Sequence, residues 1–215
     1  MPDHQTGHKW GRTRVKICGV RDVETAVAAA EAGADAIGLV FVDDSPRFIE
    51  PDDAFEVMSA LPPFVASVGV FKDTDVDAFA DIEALCPTQY TQFHGDEDVA
   101  TVKGCGPDVI KAVKFDPQTI ARELLKWASL DEVCAVLVDA PTPGAGLTFD
   151  WRELEPHMGL INKPIILAGG LTPDNVADAV RILRPYAVDV SSGVEKERGV
   201  KDLGKVRAFC QAAHG

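Results

Sequence analysis

RVKICGVRDVETAVAAAEAG, residues 14–33, reads as one complete strand–turn–helix unit. Arg14–Cys18 is a short apolar run rich in β-branched residues, and it stops at Cys18-Gly19. Asp22 is placed to cap a helix, alanines fill it, and Gly33 ends it. This predicts a strand over 14–18 and a helix over 22–32.

The same beat recurs seven more times. Further strands are predicted over Ala36–Phe41, Phe64–Phe71, Thr88–Phe93, Val109–Phe115, Ala135–Asp139, Pro164–Ala168 and Ala187–Val190, each followed by a helical segment. Strands that are apolar on both faces and alternate with helices make a parallel sheet covered by helices. Eight such units match a single (β/α)8 barrel of the α/β class, for which roughly 200–250 residues suffice. An open doubly wound sheet is the competing architecture, because local pattern cannot see closure. The expected organisation is a polar N-terminal extension over residues 1–13 and one barrel domain over 14–215.

Bulk composition narrows the function classes. The chain has 215 residues, is 46% hydrophobic and carries a net charge of −13. That balance excludes a phosphate-backbone partner, so no nucleic acid is expected. No apolar run approaches the roughly 18 residues of a membrane span, and the N-terminus lacks a secretory h-region. The five cysteines (18, 86, 105, 134 and 210) form no C-x-x-C pair, and a reducing cytoplasm is the simplest setting. Aspartate outnumbers glutamate, 22 to 12, which hints at a high-salt cytoplasm.

In a barrel of this type, chemistry belongs to the loops at the C-terminal strand ends. Those ends carry Cys18, Ser45-Pro46-Arg47, Lys72-Asp73, His94-Gly95, Asp139, Gly169-Gly170 and Ser191-Ser192-Gly193. Gly169 and Gly170 after the seventh strand, with Ser191, Ser192 and Gly193 after the eighth, fall where many barrels bind phosphate through backbone N–H groups. Either loop alone would be an ordinary tight turn. The acidity of the chain repels anions at long range, so local N–H dipoles and a nearby Arg must supply the attraction.

These residues resemble phosphoribosylanthranilate isomerase. KICG at 16–19, GADAIGLVF at 33–41, SPR at 45–47, VGVF at 68–71 and QFHG at 92–95 carry the likeness. So do VDA at 138–140, FDW at 149–151, ILAGGL at 166–171 and VDVSSGVE…GVKD at 188–202, so that it covers the chain after residue 13. The resemblance implies a (β/α)8 barrel that converts N-(5-phosphoribosyl)anthranilate to 1-(2-carboxyphenylamino)-1-deoxyribulose 5-phosphate. This is an Amadori rearrangement of tryptophan biosynthesis on a small phosphorylated aminosugar, by a monomer or homodimer. It also implies Cys18 as general base and Asp139 as general acid, with no metal and no cofactor. A thiolate and a carboxylic acid on opposite sides of one sugar suffice for both proton transfers. That needs a thiol helped toward ionisation, for example by a helix N-terminus, and a carboxyl raised by partial burial.

Other readings of the same residues stay open. Cys18 is otherwise core filler, and Asp139 an Asx-turn or helix cap. Arg47 is expected to bind the anthranilate carboxylate, or else to pair with Asp43 or Asp44 at the surface. His94 lines the pocket or braces a neighbour; Asp189 reaches a substrate hydroxyl or braces the serine loop. Lys16 shares the inward face of Cys18 if the strand is regular. Gly144 and Gly146 belong to a loop expected over the site, although Pro143-Gly144-Ala145-Gly146 departs from the G-G-[ST]-G usual in the family. The competing functions are another phosphate-binding barrel isomerase and a non-catalytic phosphate-ligand barrel.

Overall fold

The computed structural model describes residues 11–141 and 148–215. Eight parallel strands close into a barrel in sequence order: β1 (Arg14–Cys18), β2 (Ala36–Val40), β3 (Ala66–Phe71), β4 (Tyr90–Phe93), β5 (Val109–Lys114), β6 (Val133–Asp139), β7 (Ile165–Leu167) and β8 (Ala187–Val190), with β8 pairing back onto β1. The helices α1 (Val23–Glu31), α2 (Pro51–Ser59), α3 (Val76–Leu85), α4 (Val99–Gly104), α5 (Ile120–Ala128), α6 (Trp151–Leu154), α7 (Val176–Leu183) and α8 (Leu203–His214) follow the strands in turn. Closure settles the choice between barrel and open sheet.

The opening unit forms as its chemistry dictates. Asp22 caps α1, its carboxylate accepting from the Thr25 amide at 2.7 Å and the Thr25 hydroxyl at 2.9 Å. Strand ends differ from expectation in informative ways. β3 starts at Ala66 rather than Phe64, because Phe64 after Pro62-Pro63 has φ 73°, outside the strand region. β4 starts at Tyr90 because Thr88 spends its hydroxyl on Glu83 and the Tyr90 carbonyl. An unexpected antiparallel hairpin, β9 (Glu195–Glu197) with β10 (Val200–Lys201), follows β8.

Strand pleat sorts side chains into two cores. Inside the barrel pack Val68, Ile110, Ala112, Ala135, Leu137, Ile166, Ala168 and Ala187. Their sequence neighbours Val15, Ile17, Val136, Val138, Val188 and Val190 face the helices. The two-residue period then carries Lys16 and Cys18, Asp139 and Asp189 to the inward face, above the apolar plug. Of the expected N-terminal extension, residues 1–10 lie outside the described residues. Arg12 pairs with Asp35 at 2.5 Å and meets His214 Nε2 at 3.1 Å, and the Thr13 hydroxyl donates to the Pro185 carbonyl at 3.1 Å. Among the described residues no helix is long and apolar enough to cross a membrane.

Candidate active site

One cleft of about 380 Å³ at the C-terminal rim gathers residues from β1, β2, β3, β4, β6 and β8, from loops that follow them and from the loop after β7. It is lined by Cys18, Arg47, His94, Asp139 and Asp189, together with Gly169, Gly170, Ser191, Ser192 and Gly193. Gly144 and Gly146 lie outside the described residues.

The floor begins at β1. Lys16 and Asp189 are register partners on β1 and β8, and Lys16 Nζ donates to Asp189 Oδ1 at 2.8 Å. Both side chains are more than nine-tenths buried. Asp189 therefore already holds a buried cation from within the fold. Opposite, Gly38 on β2 leaves the space that sulfur and ammonium share: a Cβ there would sit 2.9 Å from Cys18 Sγ and 3.1 Å from Lys16 Nζ. Burial pushes the Cys18 thiol up from its ordinary value, with Asp189 adding to the rise, while Lys16 and Lys201 pull it down. The expected depression of the thiol is thus not found. Desolvation outweighs the help, and that help comes from two lysines rather than a helix N-terminus.

Asp139 ends β6 on the inward parity of Ala135 and Leu137. Its Oδ1 accepts from the Ala140 amide at 2.7 Å, and its Oδ2 lies 3.0 Å from His94 Nε2. Gln92 Nε2 lies 2.9 Å from His94 Nδ1. With the Gln92 amide donating, the ring proton sits on Nε2 and is donated to the carboxylate. His94 thus lines the cleft and braces Asp139 as well.

Arg47 reaches into the cleft but is partnered in a way neither reading anticipated. Its Nε and Nη2 form a fork on Glu195, at 2.7 and 3.0 Å. Lys201 Nζ also donates to Glu195 Oε1 at 3.0 Å and to the Ser191 carbonyl at 3.0 Å. The β9–β10 hairpin so fastens the SPR loop to the serine loop. Glu195 and Lys201 stood inside the quoted VDVSSGVE…GVKD motif but had no role assigned, because two charges on a short segment look like a solvated turn. Gln92 and Arg198, which also line the cleft, were missed, and Lys72, placed at a strand end by the sequence, had no role assigned.

The two candidate phosphate loops touch. Gly169 and Gly170 have φ 86° and 64°, which turns the backbone sharply after β7. A Cβ on Gly193 would fall 1.8 Å from the Leu171 carbonyl oxygen, so that loop closes on its neighbour only as glycine. Asn175 stitches the first loop, donating to the Gly170 carbonyl at 3.0 Å and accepting from the Thr172 amide at 2.8 Å.

A family model for N-(5'phosphoribosyl)anthranilate (PRA) isomerase matches residues 15–212. The chain belongs to that family. N-(5'-phosphoribosyl)anthranilate isomerase of Pseudomonas fluorescens is 47% identical over 201 residues, 93% of this chain and 94% of that relative. The Thiobacillus denitrificans protein of the same name is 45% identical over 206 residues, 93% of this chain and 97% of that protein. Among solved structures, phosphoribosyl anthranilate isomerase from Thermotoga maritima superposes with a TM-score of 0.86 at 38% identity, covering 94% of this chain and 98% of that one. Another, at TM-score 0.83 and 35% identity over 94% and 98% of the two chains, is a complex with reduced 1-(o-carboxyphenylamino)-1-deoxyribulose 5-phosphate. As a phosphoribosylanthranilate isomerase family member the protein is an enzyme of tryptophan biosynthesis. Membership sets aside the non-catalytic barrel and the other barrel isomerases.

Proposed function

We propose that this chain isomerises N-(5'-phosphoribosyl)anthranilate with Asp139 as general acid and Cys18 as general base. The observation that carries the assignment is geometric. Both groups stand on the inward parity of their strands and line the cleft that holds both glycine- and serine-rich loops. Asp139 donates its proton to the furanose ring oxygen; the C1′–O bond breaks as the anilino nitrogen lone pair forms an iminium. The Cys18 thiolate then takes the C2′ proton, and the released electron pair forms the C1′=C2′ bond and neutralises the nitrogen. Protonation at C1′ and loss of the O2′ proton yield the ketone. The iminium cation forms beside the sulfur, which favours the thiolate when it is needed.

The remaining residues orient the substrate. Gly169, Gly170, Ser191, Ser192 and Gly193 receive the phosphate through backbone and hydroxyl donors. Arg47, with Nε and Nη2 on Glu195, offers its remaining amino group to the anthranilate carboxylate. His94 holds the Asp139 carboxyl toward the ring. Asp189 acts through Lys16 and lies within reach of a sugar hydroxyl. The purified chain should consume phosphoribosylanthranilate, followed by loss of its fluorescence; decay at only the spontaneous rate, at low and at high salt, would sink the proposal.

As for assembly, a relative from Thermotoga maritima is dimeric, and this chain carries a surface suited to a second copy. Phe64 is fully exposed at φ 73° and lines two adjoining hollows with Met58, Leu61, Pro62, Pro63, Val65 and Tyr90. A bulky residue held out in a disfavoured conformation costs energy that a contact would offset. The reading is a homodimer through this N-terminal face of the barrel.

A further inference from the structure

Beneath the cleft lies a chain of buried charges larger than proton transfer by two groups requires. Asp189 holds Lys16; Lys16 shares the space at Gly38 with the Cys18 sulfur; Lys201 and Arg47 both hold Glu195. Lys201 is tied to the cysteine through Ser191, whose hydroxyl donates to the Cys18 carbonyl at 3.0 Å and lies 3.2 Å from Lys201 Nζ. The linked ion pairs below the cleft comprise three cations (Lys16, Lys201 and Arg47) and two carboxylates (Asp189 and Glu195), of which Lys16, Lys201 and Asp189 act on the sulfur itself. With a neutral thiol the cluster carries one uncompensated positive charge in a place poor in water, which is costly.

We propose that Lys16 and Lys201 are positioning residues for Cys18, and that the cluster reaches charge balance with the sulfur as thiolate. Ordered along the cluster, with Ser191 linking Cys18 to Lys201, the signs then alternate from Asp189 through Lys16, Cys18, Lys201 and Glu195 to Arg47. The other groups around the sulfur are Val40 and Val70, which are apolar, with Asp44, Lys72, His94, Asp139 and Arg198 elsewhere on the cleft. Supporting this, burial drives the Lys201 ammonium down while Glu195 and Cys18 hold it up, so the lysine and thiol ionisations approach each other. The proton leaving sulfur has a neighbouring acceptor whenever Lys201 is neutral. This inference rests on Cys18 being the base, but its test needs no substrate.

Iodoacetamide reacts with the thiolate, so the pH dependence of Cys18 alkylation, read by mass spectrometry of the Cys18 peptide, titrates the sulfur directly. Lys201→Met is the conservative variant, because Glu195 keeps the Arg47 fork; Lys16→Met is the second. Each should move the alkylation midpoint upward by about one pH unit or more. Asp189→Asn should move it downward; loss of packing would relieve the burial that raises the thiol, so the upward shifts of the lysine variants are the direction it cannot mimic. A midpoint unchanged in either lysine variant overturns the role of that lysine. An upward shift in Asp189→Asn overturns the charge-balance argument. Shifted midpoints in a protein that fails to isomerise phosphoribosylanthranilate would support the charge cluster while removing the catalytic reading of Cys18.

Discussion

Under the proposed mechanism Cys18 is ionised at the moment Asp139 is protonated, so kcat/KM would follow the product of those two fractions. That product is flat between the two pKa values and falls outside them. The thiol ordinarily titrates above a carboxyl, and burial carries Cys18 further up from its ordinary value. The alkaline limb of kcat/KM is therefore expected above the ordinary thiol range, not at neutrality. A stopped-flow profile that breaks near pH 7 would contradict the raised thiol. Cys18→Ala and Asp139→Asn should each lower kcat by roughly 10²–10⁴-fold with a folded circular dichroism spectrum. Near-normal turnover by Cys18→Ala would remove it as base. Arg47→Ala should chiefly raise KM; Glu195 keeps Lys201 in that variant, so the cluster is not left without a cation.

The β9–β10 hairpin shows where reading by pattern stops. Its two charged partners were printed in the sequence, yet only the fold shows that Glu195 accepts from Arg47 across 148 residues. Cys18, Asp139 and Asp189 were legible because strand parity is a local property. The partner of Arg47 was not, because long-range pairing depends on how loops close over the rim. Family likeness supplied the roles of Cys18 and Asp139, which parity alone leaves equal to any other inward residue. The hairpin also sets an acid limit. Its buried carboxylate is held below the ordinary 4.5, with burial opposing and the Arg47 hydrogen bond and Lys201 charge prevailing. A depressed carboxylate stabilises the fold above the unfolded value and loses that contribution as pH falls through the folded one. Glu195→Gln should thus lower the melting temperature at pH 7, by ~6–12 °C if the loss is about 3 kcal/mol. The gap between variant and parent should narrow below pH 4.5; a gap that stays constant would show that the carboxylate charge adds nothing.

Eight repeated units suggested the barrel, and the pairing of β8 with β1 closes it, leaving neither edge strand exposed. Sequence pattern could not show that, nor could it show what the closed barrel leaves uncovered. The C-terminal face is rich in polar groups, the proposed phosphate grip among them, while the N-terminal face presents Phe64 between Pro63 and Val65 with hollows of mixed polarity beside it. An extended strand starting at Phe64 was expected from its β propensity; the positive φ instead lifts the ring clear of the sheet. A two-fold pairing would seat each ring against its partner's hollows, as an isologous contact requires. Light scattering on the purified chain at micromolar concentration should give twice the 23.0 kDa protomer mass, and Phe64→Asp should give one. Because the cleft opens at the other end of the barrel, the monomeric variant should retain kcat within about twofold while losing thermal stability, since a dimer is stabilised by its own association. A parent protein that sediments as a monomer at every concentration tested would leave Phe64 without a partner and overturn the dimer.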